Sequence, residues 1–471
     1  MRLRGLALVL GLLCVFHAQA ADNAGSDIRA GREALGAGQP VEAKSRFEAA
    51  LANPEIRLDD RYAALVGLGR AEIWLGDYRA AREGFEKARK LAQSDSDREV
   101  AATGLAQALN ALDYPRQAYV LLAPFAKGNS EASLEALKAQ RVLGWQDQSP
   151  AYLAAVPAIN PQSRLGAEFR RIQADTDYAL ARRVEGGFDY QHDSDGLTLL
   201  GLGAGVSLPA NSNAQFARWG VSTQTWRVDD GQRSNRVVSL DGHYATRLGE
   251  DHSVDLSLGA GESDGWNFIQ GRLGWGYRPT DIFGIEASAE RTPILTPVAL
   301  AGHMLYNTYT LGFTVRPGDQ WYILPAYYHQ DFSDGNRRDG GVLRIRLSPY
   351  DIPHSAAALG AEIYLRTFHS DLPGGGRGYF NPTDFHEEQL KLIGIQRVSS
   401  SWKLRALAGG GSQTVDGDSN PIYSVELALE GRLPGNGRLR GVVGRSSVSS
   451  QSGGGAGYWN DYLSLSLAYP F

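Results

Sequence analysis

The histidines are the first residues of this sequence to be considered for chemistry. It contains nine of them, and none shows the H-x-x-x-H spacing of a metal site, nor is there a G-x-x-x-x-G-K-[ST] phosphate loop. Four could act near the rim of a membrane-barrel enzyme through Ser/His or Asp/His groups: His243, His303, His329 and His369. A single histidine on a wall or loop is more often only a polar surface group. We therefore expect no enzyme, no metal and no cofactor.

A second set of polar residues consists of charges that recur at alternate positions after residue 182. The acidic members are Glu185, Asp189, Asp241, Asp255, Glu286, Glu290, Glu362, Glu426 and Glu430. The basic members are Arg183, Arg344, Arg346, Arg366, Lys403, Arg405, Arg438 and Arg440. Their near balance predicts a pore wall without strong ion preference, suited to a neutral or weakly charged polar polymer. Alternatively, these pairs only fill and brace an interior.

The elements that would position these charges are β-strands over residues 182–471. Polar and apolar residues alternate there, as in Ile285–Glu290 and Leu343–Leu347, and most of the 56 glycines lie there. Sixteen such segments are separated by short turns that alternate with longer polar loops, which is the arrangement of an outer-membrane barrel. In such a barrel the apolar face points to lipid and the charges point into the lumen. The prediction is an antiparallel transmembrane barrel of about 16 strands.

Aromatic residues support a membrane barrel. Many lie near predicted strand ends, among them Trp226, Trp266 and Trp275, and are predicted to form girdles at the membrane interfaces. The last strand carries apolar residues at alternate positions and ends on an aromatic residue. Leu467, Tyr469 and Phe471 therefore resemble the C-terminal signal that barrel-assembly machinery recognises.

Residues 27–145 show a different period, that of amphipathic helices, and repeat themselves at an offset of 38 residues. The matching pairs are Gly31/Gly69, Gly38/Gly76, Ala43/Ala81, Phe47/Phe85 and Ala50/Ala88. The small residues and the aromatic resemble the tetratricopeptide pattern. A third, weaker copy contains Ala118 and Leu122. An ordinary helical bundle is the alternative, and residues 146–181 are predicted to be a linker with one helix. The fold class is thus α + β multidomain.

The amino terminus predicts the compartment. Arg2 and Arg4, an apolar run of eleven residues and Ala18-Gln19-Ala20 indicate a secretory signal peptide over residues 1–20. The formal net charge of −5, without a basic run, argues against a nucleic-acid partner. The sequence therefore predicts a bacterial outer-membrane location, with outer-membrane lipids as surroundings and the repeats in the periplasm.

This arrangement resembles the outer-membrane exopolysaccharide secretins of synthase-dependent systems, namely the cellulose-synthase outer-membrane subunit and the poly-N-acetylglucosamine export porin. The phage N4 adsorption protein is similar in outline. The segment 374–382 is similar to the G-Y-F-S-P-Q loop of the cellulose subunit, because Gly378, Tyr379, Phe380 and Pro382 match it. Asn381 and Thr383 replace the usual Ser and Gln. The resemblance implies that this loop acts as a gate, that a polysaccharide passes the barrel and that the repeats recruit periplasmic proteins.

One further class stays open beside polysaccharide export and the enzyme considered above. The family usually carries many more repeats, which reach across the periplasm, so either a second protein bridges the distance from three repeats to a synthase or the export role is wrong. A non-transporting receptor or structural barrel, whose long loops contact phage or other cells, is the main alternative.

Overall fold

The computed structural model describes residues 23–126, 129–155, 159–210, 217–352, 355–450 and 452–471. The predicted signal peptide, residues 1–20, lies outside the described residues. Contacts divide the chain into two compact units, Met1–Gln173 and Ala174–Phe471.

The first unit is built of helices that follow one another in antiparallel pairs. Helix α1 covers residues 23–36. It is followed by α2 (Pro40–Ala52), α3 (Leu58–Leu75), α4 (Tyr78–Leu91), α5 (Asp95–Ala111), α6 (Pro115–Leu122), α7 (Ser130–Leu143), α8 (Ser149–Ala155) and α9 (Arg164–Leu180). The last turns of α9, residues 174–180, belong to the second unit. Among the described residues, none of these helices has both the length and the apolarity of a membrane span.

The repeated residues occupy equivalent places in successive helix pairs. Gly38 and Gly76 form the turns with φ of +74° and +79°, a conformation that glycine adopts without strain. Phe47 and Phe85 are fully buried. A Cβ atom on Gly67 would collide with the Phe47 ring, so the small residue is what lets neighbouring helices approach. The 38-residue period therefore coincides with one helix pair.

One helix pair was not singled out from the sequence. It consists of α7 and α8 and is joined at Gly144, whose φ is +76°. Trp145 is buried beneath it, and the Ser149 hydroxyl lies 3.0 Å from Oε1 of Gln140. Helices α8 and α9 both lie in the segment 146–181, for which one helix was predicted.

The second unit is an antiparallel sheet. Its strands are β1 (Arg183–Asp193), β2 (Thr198–Ala210), β3 (Ala217–Asp229), β4 (Ser234–Leu248), β5 (His252–Ser263), β6 (Trp266–Tyr277), β7 (Phe283–Pro293) and β8 (Leu305–Gly318). They continue with β9 (Trp321–Phe332), β10 (Arg337–Asp351), β11 (Ala357–Ser370), β12 (Asp384–Arg397), β13 (Trp402–Val415), β14 (Asp418–Arg432), β15 (Arg438–Ser446) and β16 (Asn460–Pro470). A short helix, α10 (Pro297–Ala301), separates β7 from β8.

Each strand pairs with its sequence neighbours, and β1 pairs with β16, so that sixteen strands of the described chain close into a barrel. This confirms the predicted fold class of a helical region followed by an antiparallel barrel of 16 strands. We call the end where β1 begins and β16 ends the terminal rim, and the opposite end the loop rim. Long connections lie at the loop rim, including residues 294–304, 371–383 and 447–459.

The outer face of the barrel is apolar and exposed. Leu202, Leu240 and Leu258 lie at paired or neighbouring positions of β2, β4 and β5, and each is 59% to 64% exposed. Near the terminal rim, His252, Trp275 and Tyr277 stack on one another. Such a band with an aromatic border is typical of a barrel that spans a membrane.

Two tryptophans that the sequence placed in the girdles lie inside the barrel instead. The register puts Trp226 beside Gly201 and Trp266 beside Ser263, on the face opposite the exposed leucines. The aromatic type alone does not distinguish the two faces, whereas the strand parity does.

Candidate functional site

The strand register places all the predicted pore-lining charges on the inner face of the barrel. Several form ion pairs between neighbouring strands: Arg346–Glu362 at 2.7 Å, Arg405–Glu426 at 3.1 Å and Lys403–Glu430 at 3.0 Å. Arg440 also reaches Glu430 at 3.3 Å, and Arg183 reaches Glu185 at 3.4 Å. These ion pairs show that some of the charged side chains stabilise the barrel wall.

The other predicted charges have different neighbours. Asp241 accepts hydrogen bonds from Ser239 at 3.0 Å and Gln270 at 2.8 Å. Asp255 and Glu290 contact one arginine, and Arg344 lies over the Tyr364 ring at 5.4 Å. Asp189 pairs with Gly201, and Glu286 with Gly276 and Gly312, in the register. Arg366 contacts Glu387 at 2.7 Å, and Arg438 contacts Asp175 at 2.5 Å.

Sequence reasoning missed further charges on the inner face, and most of them are basic. The additional bases are Arg218, Arg247, Arg272, Arg316, Arg338, Lys391 and Arg432, against the acids Asp193 and Glu387. The alternation that revealed the predicted set also applies to these residues. Together they give the described inner face more bases than acids, where near balance was expected. The bases predominate on β8–β16 and the acids on β1–β7.

The loop rim is crossed by residues 294–304, which contain α10. Thr296 caps this helix by accepting a hydrogen bond from Ala299 N–H at 3.2 Å, and Pro297 occupies its first turn. Leu300 packs in one cluster with Leu199, Val237 and Phe268, which project inward from β2, β4 and β6. This loop therefore turns inward and lies against the inner face of the barrel wall.

The loop 371–383, which contains the predicted gate residues, contacts α10. The Thr296 hydroxyl donates to the Gly378 carbonyl. Gly378 has φ of +84°, and a Cβ atom there would lie 2.5 Å from the Ala299 nitrogen. Tyr379 stacks on Phe332 with ring centroids 4.6 Å apart and planes within 3°.

A buried polar cluster ties this loop to the β9–β10 turn. We call it the mouth cluster and define it as Asp334, Asn336, Arg377, Tyr379 and Asn381. Asn336 donates to the Tyr379 hydroxyl at 3.0 Å and to Asn381 at 2.9 Å, and it is fully buried. Arg377 contacts Asp334 at 2.5 Å, and Tyr379 donates to the same carboxylate at 3.1 Å. The sequence indicated Tyr379 as a gate residue and Asn381 only as a departure from the loop motif, and it did not indicate that they meet a turn 43 residues away.

Two other contacts extend this closure. Arg338 lies over the rings of Phe332 and Phe368 and donates to the Phe380 carbonyl at 2.7 Å. Arg366 donates to the Ser449 carbonyl at 3.0 Å, which ties the loop 447–459 to the inner wall. Pro382, near the end of the loop 371–383 that leads into β12, is also buried. The loops 294–304, 371–383 and 447–459 are thus each attached to the inner wall or to one another at the loop rim.

The electrostatics of the mouth cluster favour a charged carboxylate beside a neutral phenol. Burial alone would raise the pKa of Asp334, but hydrogen bonds from Arg377, the Asn336 backbone and Tyr379 outweigh burial and lower it. Burial raises the pKa of Tyr379 to about 12. The Tyr379 hydroxyl therefore stays protonated and donates a hydrogen bond to a carboxylate that is ionised at neutral pH.

At the terminal rim, the end of α9 contacts inner-face residues. Asp175 lies 2.7 Å from Arg432 and 2.5 Å from Arg438. Arg218 donates to the carbonyls of Ala179 at 3.0 Å and of Ala181, where the helix ends. Guanidinium groups at a helix C-terminus interact favourably with its dipole.

Two of the four candidate histidines, His329 and His369, lie on either side of Asp339 on the strands that flank β10, whereas His243 and His303 lie elsewhere. His243 lies on the inner face of β4 next to Ser222, whereas His329 and His369 lie on the outer face of β9 and β11, bonded to Asp339 and Asp384. His303 stacks on Trp266. The segment 261–265 reads G-x-S-x-G, but it forms a hairpin turn between two strands and not the strand–turn–helix of a nucleophile elbow. Among the described residues, no group of three metal-ligating side chains converges.

The C-terminal residues predicted as an assembly signal lie on the outer face. Leu467 and Tyr469 are 42% and 40% exposed, and Phe471 donates its N–H to the Arg182 carbonyl at 3.0 Å. They thus close the barrel next to β1 while their side chains stay accessible.

Comparisons with known proteins find the barrel fold again. No family model and no curated protein matches the sequence. A solved structure described as a bacterial polysaccharide outer membrane secretin is similar, with a TM-score of 0.53 and 12% identity over 62% of this chain and 99% of that one. CdiB from Acinetobacter baumannii has a TM-score of 0.40 at 10% identity, over 61% of this chain and 60% of its own. OccD3 (OpdP) of Pseudomonas aeruginosa has a TM-score of 0.37 at 10% identity, over 62% of this chain and 91% of its own. The described barrel therefore has the fold found in that polysaccharide outer membrane secretin.

Proposed function

We propose that this protein is a passive outer-membrane channel through which a polysaccharide is secreted. The observation that carries the proposal is the closed barrel whose inner face is polar and charged while its outer face is apolar. A lumen of sixteen strands is wide enough for water and solutes. The fold likeness to a polysaccharide secretin supports the same reading.

The location follows from the two faces of the barrel. The exposed apolar outer face requires contact with lipid, and the accessible Leu467, Tyr469 and Phe471 suit recognition by barrel-assembly machinery. An even number of strands puts both ends of the barrel at one rim, which in this class of protein faces the periplasm. The helical unit is then periplasmic, where tetratricopeptide-like pairs would recruit partner proteins or guide the polymer.

The gate of this channel is the loop 371–383, held by Gly378, Tyr379, Phe380 and Pro382. Its support is the set of contacts with α10 and the mouth cluster, which attach the loop to its neighbours at the loop rim. In this state the inward-folded loops block the lumen, and a polymer would pass after they separate from the β9–β10 turn.

Planar-bilayer recording tests the channel directly. We expect small conductance for the wild-type protein, large conductance once the loop contacts are broken, and current interruptions when polysaccharide oligomers are added. A loop-released protein that conducts no ions, or whose current no oligomer affects, would contradict the proposal.

A second candidate is a non-transporting receptor or structural barrel. It is favoured by the three loops that interlock at the loop rim, because a permanent plug would look the same. A deletion strain that secretes normal polymer but resists phage would favour this candidate over the channel.

A further inference from the structure

A cavity on the inner face of β3–β7 is not explained by closure of the mouth. It measures about 360 Å³ and is roofed by Leu295 of the inward loop. Trp226, Gln224, Asp241, Gln270 and Arg272 line it. Such a size and a mixed polar and aromatic lining are typical of small-molecule sites.

Trp226 presents a flat apolar surface to this cavity. Its six-membered ring lies directly over Gly201 of β2, since a Cβ atom at that glycine would lie 2.6 Å from the ring. One face of the indole is thus covered by backbone, and the partly buried ring packs against the apolar cluster that contains Leu300 and also lines the cavity. The missing side chain at Gly201 fixes this orientation without a hydrogen bond.

The polar residues around the ring contact one another. Asp241 is only 7% exposed and accepts a hydrogen bond from Gln270 at 2.8 Å. Arg272 contacts both Asp255 at 3.3 Å and Glu290 at 3.5 Å. The group thus holds three carboxylates and one guanidinium, so the cavity disfavours an anionic ligand and favours one whose hydroxyl groups can bond to these donors and acceptors.

We infer that this cavity is a pyranose-binding subsite, in which Trp226 stacks on the apolar C–H face of a neutral sugar unit. The equatorial hydroxyls would exchange hydrogen bonds with Gln224, Gln270 and Asp241, whose amides and carboxylate offer donors and acceptors around the ring. The inference rests on the proposed function and deepens it, because it names a neutral hexose unit as the part of the polymer that the wall holds.

The test measures the binding of cellohexaose to the full-length protein in detergent micelles by saturation-transfer NMR. Trp226→Leu should raise the dissociation constant about tenfold. Trp226→Phe keeps a smaller aromatic ring and should raise it about threefold. The matched control is Trp402→Leu, because Trp402 also lies over a glycine, Gly431, but on the outer face. It should bind cellohexaose like the wild type.

Heat-dependent electrophoretic mobility shows whether each variant keeps its barrel. If Trp226→Leu does not form a barrel, Trp226→Phe alone tests the subsite. Unchanged binding in the Trp226 variants, or an equal loss in Trp402→Leu, would overturn the subsite. If the current of a loop-released protein is still interrupted by oligomers, the proposed channel survives that result. Absence of both cellohexaose binding and current interruption would remove the channel together with the subsite.

Discussion

At the scale of single residues, Gly378 controls how closely the loop 371–383 can approach α10. An alanine there would place its Cβ 2.5 Å from the Ala299 nitrogen, so the loop must move away. We expect Gly378→Ala to increase conductance in planar bilayers severalfold. Gly376→Ala is the matched control, because φ is +83° there but the Cβ would meet nothing within 4 Å. Both share the strain of a left-handed alanine, about 1–2 kcal/mol. Equal behaviour of the two variants would show that the contact with Ala299 does not hold the gate.

Asp334 makes closure of the mouth dependent on pH. Its folded-state pKa lies below the unfolded value of about 3.9, so its contribution is complete above that pH and is lost as the pH falls through the lower folded pKa. We expect wild-type conductance to rise as the pH falls below about 4. Asp334→Asn should conduct more at pH 7, since it loses an ion pair worth about 1 kcal/mol, and should lack the acid step. An acid step that persists in Asp334→Asn would assign it to another group.

The sequence could predict which residues project inward but not which ones meet at the mouth. Inner-face charges such as Glu362 follow from alternation, a local property of one strand. Asn336 meets Asn381, and Asp334 meets Arg377, only because two connections fold over the same rim, and no local pattern encodes those contacts. The motif around Tyr379 was visible because it resembles a known loop.

At the scale of elements, the helix pairs depend on glycines beneath the repeated phenylalanines. A Cβ atom at Gly104 would collide with the Phe85 ring, so Gly104→Ala should destabilise the helical unit by about 1–3 kcal/mol. Gly84→Ala is the control in the neighbouring helix, because its Cβ would lie 3.7 Å or more from other atoms. It should stabilise α4 by about 0.5–1 kcal/mol. Thermal unfolding of the full chain followed by circular dichroism at the helical band distinguishes the two, and equal shifts would contradict this packing.

The end of α9 is held at the terminal rim by one carboxylate between two guanidinium groups. Asp175→Asn should cost about 1–3 kcal/mol of local stability, because Arg432 and Arg438 lose their shared acid. Hydrogen exchange of residues 174–180 should accelerate accordingly. Asp177→Asn changes an exposed neighbour in the same helix and should leave the exchange unaltered. Equal exchange in both variants would show that the ion pairs do not hold the helix.

The strands were easier to predict than α10. The strands have nine to fifteen residues, long enough for a period of two to repeat, and the alternating run Ile285–Glu290 lies within β7 as expected. Helix α10 has only five residues, too few for a helical period. Thr296 followed by Pro297 was its signal, since threonine is a favoured N-cap and proline a favoured first residue of a helix.

At the scale of the whole barrel, charge is distributed unevenly around the lumen. The sequence indicated near balance because the long alternating runs were counted, whereas isolated residues such as Arg272 and Lys391 were not. With these included, the described inner face has a basic excess that is concentrated on β8–β16. A wall with excess bases raises the local concentration of anions in the pore.

Ion selectivity follows from that excess and is best measured in the Gly378→Ala background. Under a KCl gradient, the reversal potential should show a preference for chloride. Replacing Arg344 and Lys391 together by glutamine should bring the permeability ratio closer to one, because both lie beside Tyr364 on the basic wall. Arg236→Gln removes a base from the outer face near the loop rim and should not change the ratio. A cation preference, or an effect of Arg236→Gln equal to that of the pair, would show that the inner wall does not set the selectivity. A chloride preference would also favour polymers that are neutral or carry acidic groups over polycations, since the same wall would repel the latter.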